Sequence, residues 1–292
     1  MTEPVLDYRR LLAAPAAEIP YRYTKRDTML HGLGVGLGMD ALDTEQLKFV
    51  YDPELKAFPT MSAAIGWADL TRDPRFYDPS WGLDANRIVV GEVFVTAYHP
   101  LPVEGEGVSR IFFAEVVDKG PGKAALVRTR KELADSSGTV LAALDTWLFV
   151  RGAGGFGGPS DGEPDRVVIP ERPADVTCSL RTPENLALIY RLSLGDHNAL
   201  HADPVHSARV GFERPILHGI ANFSIAVHAV LREVLGYDPG RYRVGRTRFV
   251  QPVFPGDTLA TEIWIESNHA LFRTRAVERD VLVMDGGRVD FV

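Results

Sequence analysis

The sequence has one cysteine, no long apolar run and no excess of positive charge. Cys178 stands alone, so no disulfide can form within the chain, which fits a reducing compartment. Even the apolar stretch "TVLAALDTWLFV" is short and is interrupted by Asp145, so it cannot serve as a membrane span. The first residues include acids and lack the basic start and apolar core of a secretory signal.

The charge balance also restricts the partners. A formal net charge of −7 argues against nucleic acid as the main partner, because phosphate binding needs clustered Lys and Arg. A hydrophobic content of 45% with 24% charged residues is typical of a globular protein. We therefore expect a soluble, cytoplasmic protein with neither a nucleic-acid nor a membrane partner.

One stretch divides the chain near its middle. Residues 151–165, "RGAGGFGGPSDGEPD", are rich in glycine and proline and have almost nothing to bury, which is linker composition. The sequence thus predicts an N-terminal domain over 1–150, a linker over 151–165 and a C-terminal domain over 166–292.

The two halves resemble each other. "ALVRTR" at 125–130 recurs as "ALFRTR" at 270–275, and each copy lies between similar strand-like runs. This shared order favours an internal duplication. Alternating apolar residues predict antiparallel strands in both halves. The repeats contain four arginines, Arg128, Arg130, Arg273 and Arg275. We expect them on an exposed face of the sheet, from which some could reach phosphates.

Each half also contains one apolar segment of helical length. Residues 219–236, "GIANFSIAVHAVLREVLG", predict a largely buried helix with Gly236 near its C-terminal cap. The N-terminal counterpart is "TMSAAIGWADL", residues 60–70. A buried helix wrapped by a curved antiparallel sheet is the hot-dog arrangement. The fold class we expect is therefore α+β, a double hot-dog fold.

A glycine-rich stretch near the start imitates a nucleotide-binding loop. In "HGLGVGLG" the glycines recur strictly every second residue, whereas the dinucleotide fingerprint is G-x-G-x-x-G directly after a strand. The preceding "TKRDTML" is typical of a helix, with Asp27 as its N-cap. We expect close backbone packing at these glycines rather than nucleotide binding.

The segment 190–219, "YRLSLGDHNALHADPVHSARVGFERPILHG", concentrates titratable groups. On an ideal helix Asp196 and His201 would lie about 140° apart, so they can act together only if the backbone bends, for which Gly195 is suited. A converging Asp and His can hold a water molecule and transfer its proton. Gly219 stands at the predicted start of the buried helix, where free N–H groups can bind a developing oxyanion.

This segment resembles the signature of the MaoC-like 2-enoyl-CoA hydratases, the (R)-specific hydratase 2 family, whose motif runs Y-x-L-S-G-D-x-N-P-L-H and then G-F-x-x-P-I-L-H-G. The resemblance implies that Asp196 and His201 form the catalytic pair, that Asn198 supports the site and that Gly219 N–H contributes to the oxyanion hole. "RDTMLHGLGVG" resembles the degenerate N-terminal half of the two-domain members, which accommodates the acyl chain. The chain departs from the motif by an extra Leu194 and by Ala199 in place of proline.

Other interpretations of the same residues remain open. A metal site is the nearest rival, because His197 and His201 form H-x-x-x-H near Asp196 and His206, but no general-base glutamate accompanies them. We expect no metal. The remaining polar residues of the segment have structural interpretations: His218 packs or hydrogen-bonds beside the glycine, Tyr190 packs, and Asp203 with His206 forms a local turn or helix cap.

The expected activity is reversible syn hydration of a trans-2-enoyl-CoA to an (R)-3-hydroxyacyl-CoA. No cofactor is required, since the thioester supplies the activation and CoA is part of the substrate. The sequence does not assign acid and base between Asp196 and His201. Alternatives are dehydration of a carrier-protein or branched or dicarboxylic acyl-CoA substrate, thioester hydrolysis, and a non-catalytic acyl-binding scaffold. Monomer and homodimer are both compatible with two internal domains.

Overall fold

The computed structural model describes residues 5–71, 73, 77–194 and 196–292. The described residues form one ten-stranded antiparallel sheet. Its strands are β1 Ala17–Tyr23, β2 Ile88–Ala97, β3 Gly105–Asp118, β4 Ala125–Asp135, β5 Val140–Val150, β6 Val176–Arg181, β7 Tyr242–Phe249, β8 Thr258–Ile265, β9 His269–Ala276 and β10 Val281–Phe291. The helices are α1 Tyr8–Ala13, α2 Lys25–Gly34, α3 Thr44–Leu47, α4 Met61–Ala64, α5 Leu186–Leu194, α6 Pro204–Arg209 and α7 Gly219–Glu233.

The strand order reads the same from either edge of the sheet. It is β1-β3-β4-β5-β2 followed by β7-β10-β9-β8-β6, so each half repeats one topology. The repeated sequences occupy corresponding strands, β4 and β9. The halves join where β2 pairs with β7, from Glu92 opposite Arg248 to Thr96 opposite Val244. The predicted double hot-dog fold is confirmed.

The central helix of the C-terminal half is α7. It contacts every strand of its half, and all its residues from Ala221 to Leu231 are buried. A helix that is apolar on all sides must be enclosed in this way. It ends at Glu233, slightly before the predicted limit, and Gly236 follows in the left-handed conformation with φ of 60°.

The N-terminal half has only a remnant of such a helix. The prediction of a helix over 60–70 is wrong beyond α4, which ends at Ala64. Lys131 explains how the shortened helix is tolerated. Its ammonium, although buried, donates to the carbonyls of Ser62, Ala63 and Ile65 at 2.8, 2.6 and 2.7 Å. In the C-terminal repeat the corresponding residue is Ala276, which leaves room for the full helix α7.

Three glycines of the glycine-rich stretch pack closely, as predicted, whereas a Cβ on Gly36 would have no neighbour within 4 Å among the described residues. A Cβ on Gly32 would lie 2.6 Å from the carbonyl oxygen of Phe49, and one on Gly34 would lie 3.1 Å from the Cα of Tyr190. The helix cap differs from the prediction. Thr24 is the N-cap of α2, and Asp27 instead completes a capping box from the third helical position, accepting the Thr24 N–H at 2.8 Å.

The stretch between the halves contains no helix or strand from residue 151 to residue 175. It is nevertheless fixed to the end of β3 by Asp118. The carboxylate of Asp118 accepts N–H bonds from Gly155 at 2.6 Å and Gly157 at 2.8 Å, and these bonds hold the pKa of Asp118 below its ordinary value. Among the described residues, no helix combines the length and apolar character needed to cross a membrane.

We expect Lys131→Met to lower the free energy of unfolding by about 3 kcal/mol or more, because methionine fills the same space but leaves buried carbonyls without a donor. Urea denaturation measures the change. Lys123→Met is the matched control, since Lys123 is exposed in the turn between β3 and β4. Equal stability of the two variants would contradict the role assigned to Lys131.

Candidate active site

The candidate site lies between the end of α5 and the start of α7. The turn predicted at Gly195 lies outside the described residues, and two side-chain turns come directly after it. The Asp196 carboxylate accepts the N–H of Asn198 at 3.1 Å, and the Asn198 side-chain oxygen accepts the N–H of Leu200 at 3.1 Å. Asn198 thereby caps a single 3-10 turn, Ala199–His201. These two side-chain turns produce the bend that brings Asp196 and His201 to one place.

The hydrogen bond of His201 fixes its tautomer. Its Nδ1 lies 2.9 Å from the carbonyl oxygen of Ile216. Because a carbonyl only accepts, Nδ1 carries the proton, and in the neutral ring Nε2 is left with its lone pair. Burial lowers the pKa of His201, while the Ile216 carbonyl and the charge of Asp196 oppose this shift. At neutral pH, His201 is therefore an uncharged imidazole with a free acceptor nitrogen.

His218 stacks directly on His201. The ring centroids lie 3.8 Å apart with the planes inclined by 27°. Burial lowers the pKa of His218 to about 2, with nearby His201 adding to the effect and the backbone of Asp196 opposing it. One potential ligand atom from each of Asp196, His201 and His218 lies within 4.8 Å of the other two. The structure thus places a carboxylate beside two neutral imidazoles.

The same three residues raise the question of a metal. Two imidazoles and a carboxylate are a donor set that divalent transition metals use. The stacking is unfavourable for it, because imidazole coordinates through a lone pair in the ring plane, and two planes inclined by 27° with centroids 3.8 Å apart do not meet close to the rings. One ring would have to rotate before both could bind one ion. Within the described residues, His197 and His206, which the sequence had suggested as ligands, are not part of the cluster.

The N-terminus of α7 borders the cluster. Gly219 is its first residue, and the N-cap, His218, makes no side-chain bond to the free N–H groups of the first turn. A Cβ at Gly219 would lie 3.3 Å from the ring of Phe249, so glycine permits close approach of β7 to the helix end. Among the described residues, the first turn of α7 thus has N–H groups without a side-chain cap, and it begins directly after His218, which stacks on His201.

An open cleft leads to the site. It has a volume of about 200 Å³, and His201 forms part of its wall together with Leu188, Arg214, Pro215 and Pro255. The Arg214 guanidinium lies over the ring of Phe254, 4.9 Å from its centroid. We call this depression the C-terminal cleft. Sequence reasoning missed Arg214, and it predicted that His218 packs beside Gly219 without predicting its contact with His201.

Behind the site the polar rings continue into the core. Tyr190 packs as predicted, with its ring centroid 4.9 Å from that of His218 and 5.7 Å from that of His31. His31 is fully buried, and neither of its ring nitrogens has a hydrogen-bond partner among the described residues. Burial lowers the pKa of His31 to about 3 and that of His228, on α7, to about 4.

Several polar residues of the segment have local roles. Asp203 caps α6 by accepting the N–H of Val205 at 2.8 Å and of His206 at 3.3 Å, which confirms the predicted helix cap. His197 is exposed, and its Nδ1 lies 3.4 Å from Arg191. The extra residue, Leu194, is the last of α5, so it falls before the bend that sets the geometry of Asp196.

The arginines of the repeats form ion pairs with carboxylates on the sheet. On the outer face of the sheet, Arg128 and Arg130 share Asp145, each at 2.8 Å, and Arg273 binds Glu262 at 2.6 Å. Arg275 lies 3.8 Å from Asp280, so a carboxylate lies within 4.0 Å of each of the four arginines that the sequence offered as phosphate contacts.

Comparison with known proteins places the chain in a family. Residues 160–286 match the MaoC like domain, and residues 21–152 match the MFE-2 hydratase 2 N-terminal domain. An Arabidopsis thaliana protein named "Enoyl-CoA hydratase 2, peroxisomal" is 34% identical over 94% of this chain and 93% of its own length. The chain belongs to the MaoC-like hydratase 2 family. The resemblance inferred from the motif is confirmed.

Other relatives of the hydratase 2 family agree over the full length. A Mycobacterium tuberculosis protein named "3-hydroxyacyl-thioester dehydratase Y" is 35% identical over 93% of this chain and 94% of its own. The crystal structure of a MaoC-like dehydratase from Phytophthora capsici superimposes with a TM-score of 0.86 at 32% identity, covering 98% of this chain and 99% of that one. The double hot-dog architecture is therefore shared with a solved member.

We expect the free energy of unfolding to fall as the pH drops below 6.5. The pKa values of His31, His218 and His228 are lowered in the folded state. At pH values below the ordinary histidine pKa, the unfolded chain therefore binds more protons than the folded chain. At pH 5 each group contributes a loss of about 2 kcal/mol, which chemical denaturation at pH 7 and pH 5 measures.

His31→Phe tests this expectation residue by residue. The variant should lose about 2 kcal/mol less between pH 7 and pH 5 than the wild type, because one buried titrating group is gone. Comparing each variant with itself at the two pH values removes the packing effect of the substitution. His99→Phe, at an exposed histidine, should keep the wild-type pH dependence. An unaltered pH dependence in His31→Phe would refute the assignment.

Proposed function

We propose that this protein hydrates trans-2-enoyl-CoA thioesters reversibly to (R)-3-hydroxyacyl-CoA. The observation that carries the proposal is the approach of Asp196, His201 and His218 to within 4.8 Å of one another at the N-terminus of α7. Adding water to an enoyl thioester needs a group that accepts a proton, a group that holds the water and donors for the thioester oxygen. Family membership supports the same reaction class.

The proposed mechanism begins with polarisation of the thioester. The Gly219 N–H, at the start of α7, donates to the carbonyl oxygen and stabilises the negative charge that develops there. This makes C3 of the enoyl group electrophilic. Asp196 accepts a hydrogen bond from the water and orients it, while Asn198 holds the turn that positions both groups.

We assign the proton transfer to His201. Its Nε2 accepts a proton from water as the oxygen bonds to C3, and returns that proton to C2 on the same face, so that one water is added across C2=C3. Nδ1 keeps its proton throughout and donates it in the hydrogen bond to the Ile216 carbonyl, which keeps the lone pair on Nε2. Because the thioester activates C3, the proposed reaction includes no metal and no redox cofactor.

Dehydration of a 3-hydroxyacyl thioester is the second candidate. It uses the same groups in the reverse direction, and the Mycobacterium tuberculosis relative is named as a 3-hydroxyacyl-thioester dehydratase. A comparison of CoA-linked and carrier-protein-linked 3-hydroxyacyl substrates separates the two. The cytoplasmic location also stays a proposal, since the Arabidopsis relative is named as peroxisomal.

We expect Asp196→Asn to reduce kcat for hydration of crotonyl-CoA by about 100-fold or more, because the amide holds the water less strongly and in a different orientation. Loss of absorbance of the enoyl thioester measures the rate, and chiral analysis identifies the product. Asp203→Asn is the matched control, since asparagine caps α6 as well as aspartate does. Near-normal hydration by Asp196→Asn would exclude the proposed site.

The pH profile tests the role of His201. Its free imidazole is the active form and its pKa is lowered by burial, so the midpoint at which kcat/KM declines should lie below pH 6.5, the ordinary histidine value. Initial rates with crotonyl-CoA give the profile. A midpoint above pH 6.5 would show that the active form is not the buried neutral imidazole.

A further inference from the structure

The N-terminal half contains a groove that corresponds to the C-terminal cleft. Both are lined by the segment that precedes the central helix of a half, α4 or α7. Both are also lined by the connection that follows the strand at the junction of the halves, β2 or β7. Lys56 stands five residues before Met61, the start of α4, and Arg214 stands five residues before Gly219, the start of α7. Likewise, Val103 follows β2 in the first depression and Pro255 follows β7 in the second. The two depressions therefore share the positions on these two segments, whereas α5 and the turn that holds His201 line only the C-terminal cleft.

The two depressions are separate places on the molecule. One side of the N-terminal groove is formed by Asp238–Gly240, Tyr242 and Arg243, which follow the C-terminal end of α7. The C-terminal cleft lies near the beginning of this helix. The 15 residues of α7 separate them by about 20 Å. The groove has a volume of about 280 Å³, large enough for part of a ligand.

Unpaired positive charge surrounds this groove. Lys56 and Arg243 line it, and neither has a carboxylate within 4.0 Å among the described residues. Arg243 donates from one nitrogen to the carbonyls of Gly240 and Tyr242, which leaves its other donors free. His99 also lines the groove. The carboxylate that lies nearby, Asp238, accepts the N–H of Gly240 at 2.9 Å.

The floor of the groove is apolar and lacks the catalytic groups. Pro59, Leu101, Pro102 and Ala142 form much of it. No D-x-N-x-x-H sequence occurs in residues 1–150, so nothing in this half corresponds to the Asp196 and His201 pair. A ligand with an apolar arm and an anionic end would fit such a surface, and it would not be hydrated there.

We propose that the N-terminal groove is a second, non-catalytic binding site for an acyl-CoA thioester. The phosphates interact with Lys56 and Arg243, and the thioester arm lies over the apolar floor. The choice of ligand rests on the proposed function, because the groove shares positions on two segments with the cleft to which that function assigns an acyl-CoA. Each chain would then bind two acyl-CoA molecules and convert one.

Calorimetric titration with octanoyl-CoA, which has no C2=C3 bond to hydrate, tests the proposal. The wild type should bind two molecules per chain, and Lys56→Glu/Arg243→Glu should bind one. The matched control, Lys123→Glu/Arg151→Glu, makes the same charge change at exposed positions and should bind two. If the reversed charges prevent folding, Lys56→Gln/Arg243→Gln should weaken one of the two binding events at least tenfold.

The outcomes separate this proposal from the proposed function. One molecule per wild-type chain, or loss of both binding events in the groove variant, would refute a second site. A hydration assay on the same preparation reports on the proposed function alone. Two binding events without hydration would support the second site and refute the hydratase assignment. Hydration with one binding event would support the hydratase assignment and refute the second site.

Discussion

The pairing of β2 with β7 is the contact on which the rest of the structure depends. It makes one continuous sheet of two repeats, because each repeat leaves this strand free on one side. An exposed strand of that kind would otherwise invite association with another chain. The pairing also brings the two central helices together, as the 2.6 Å hydrogen bond between Thr60 and Ser224 shows. The two depressions then share two lining segments that the duplication repeats.

The two halves have diverged around the length of one helix. In the C-terminal half a small residue, Ala276, admits a complete α7, whose first residue supplies the N–H donors of the site. In the N-terminal half Lys131 occupies the corresponding position and pairs with the carbonyls that end α4. A buried ammonium is stable only if its donors are satisfied, so the short helix and the lysine depend on each other.

Much of the fold and part of the candidate site could be predicted from the sequence, because the informative patterns are local. Alternation identified the strands, the repeat identified the two halves, and the apolar run at 219–236 identified α7. The short α4 was missed, since "TMSAAIGWADL" has helical composition and the lysine that pairs with the end of the helix lies on β4, far along the chain. The stacking of His218 on His201 was missed for a similar reason, as it depends on how α7 meets the bend after Asn198.

The chemistry of the site depends on burial and backbone contacts more than on ion pairs. On the outer face of the sheet, arginines and carboxylates neutralise each other across strands. Around His201 the contacts are of another kind: a backbone carbonyl fixes its proton, and a neutral His218 covers its face. A protonated His218 would lower the pKa of His201 further and make its Nε2 a weaker base. Keeping the neighbouring imidazole neutral preserves a free base at physiological pH, and this gives the row of buried histidines a functional reason despite its cost in acid stability.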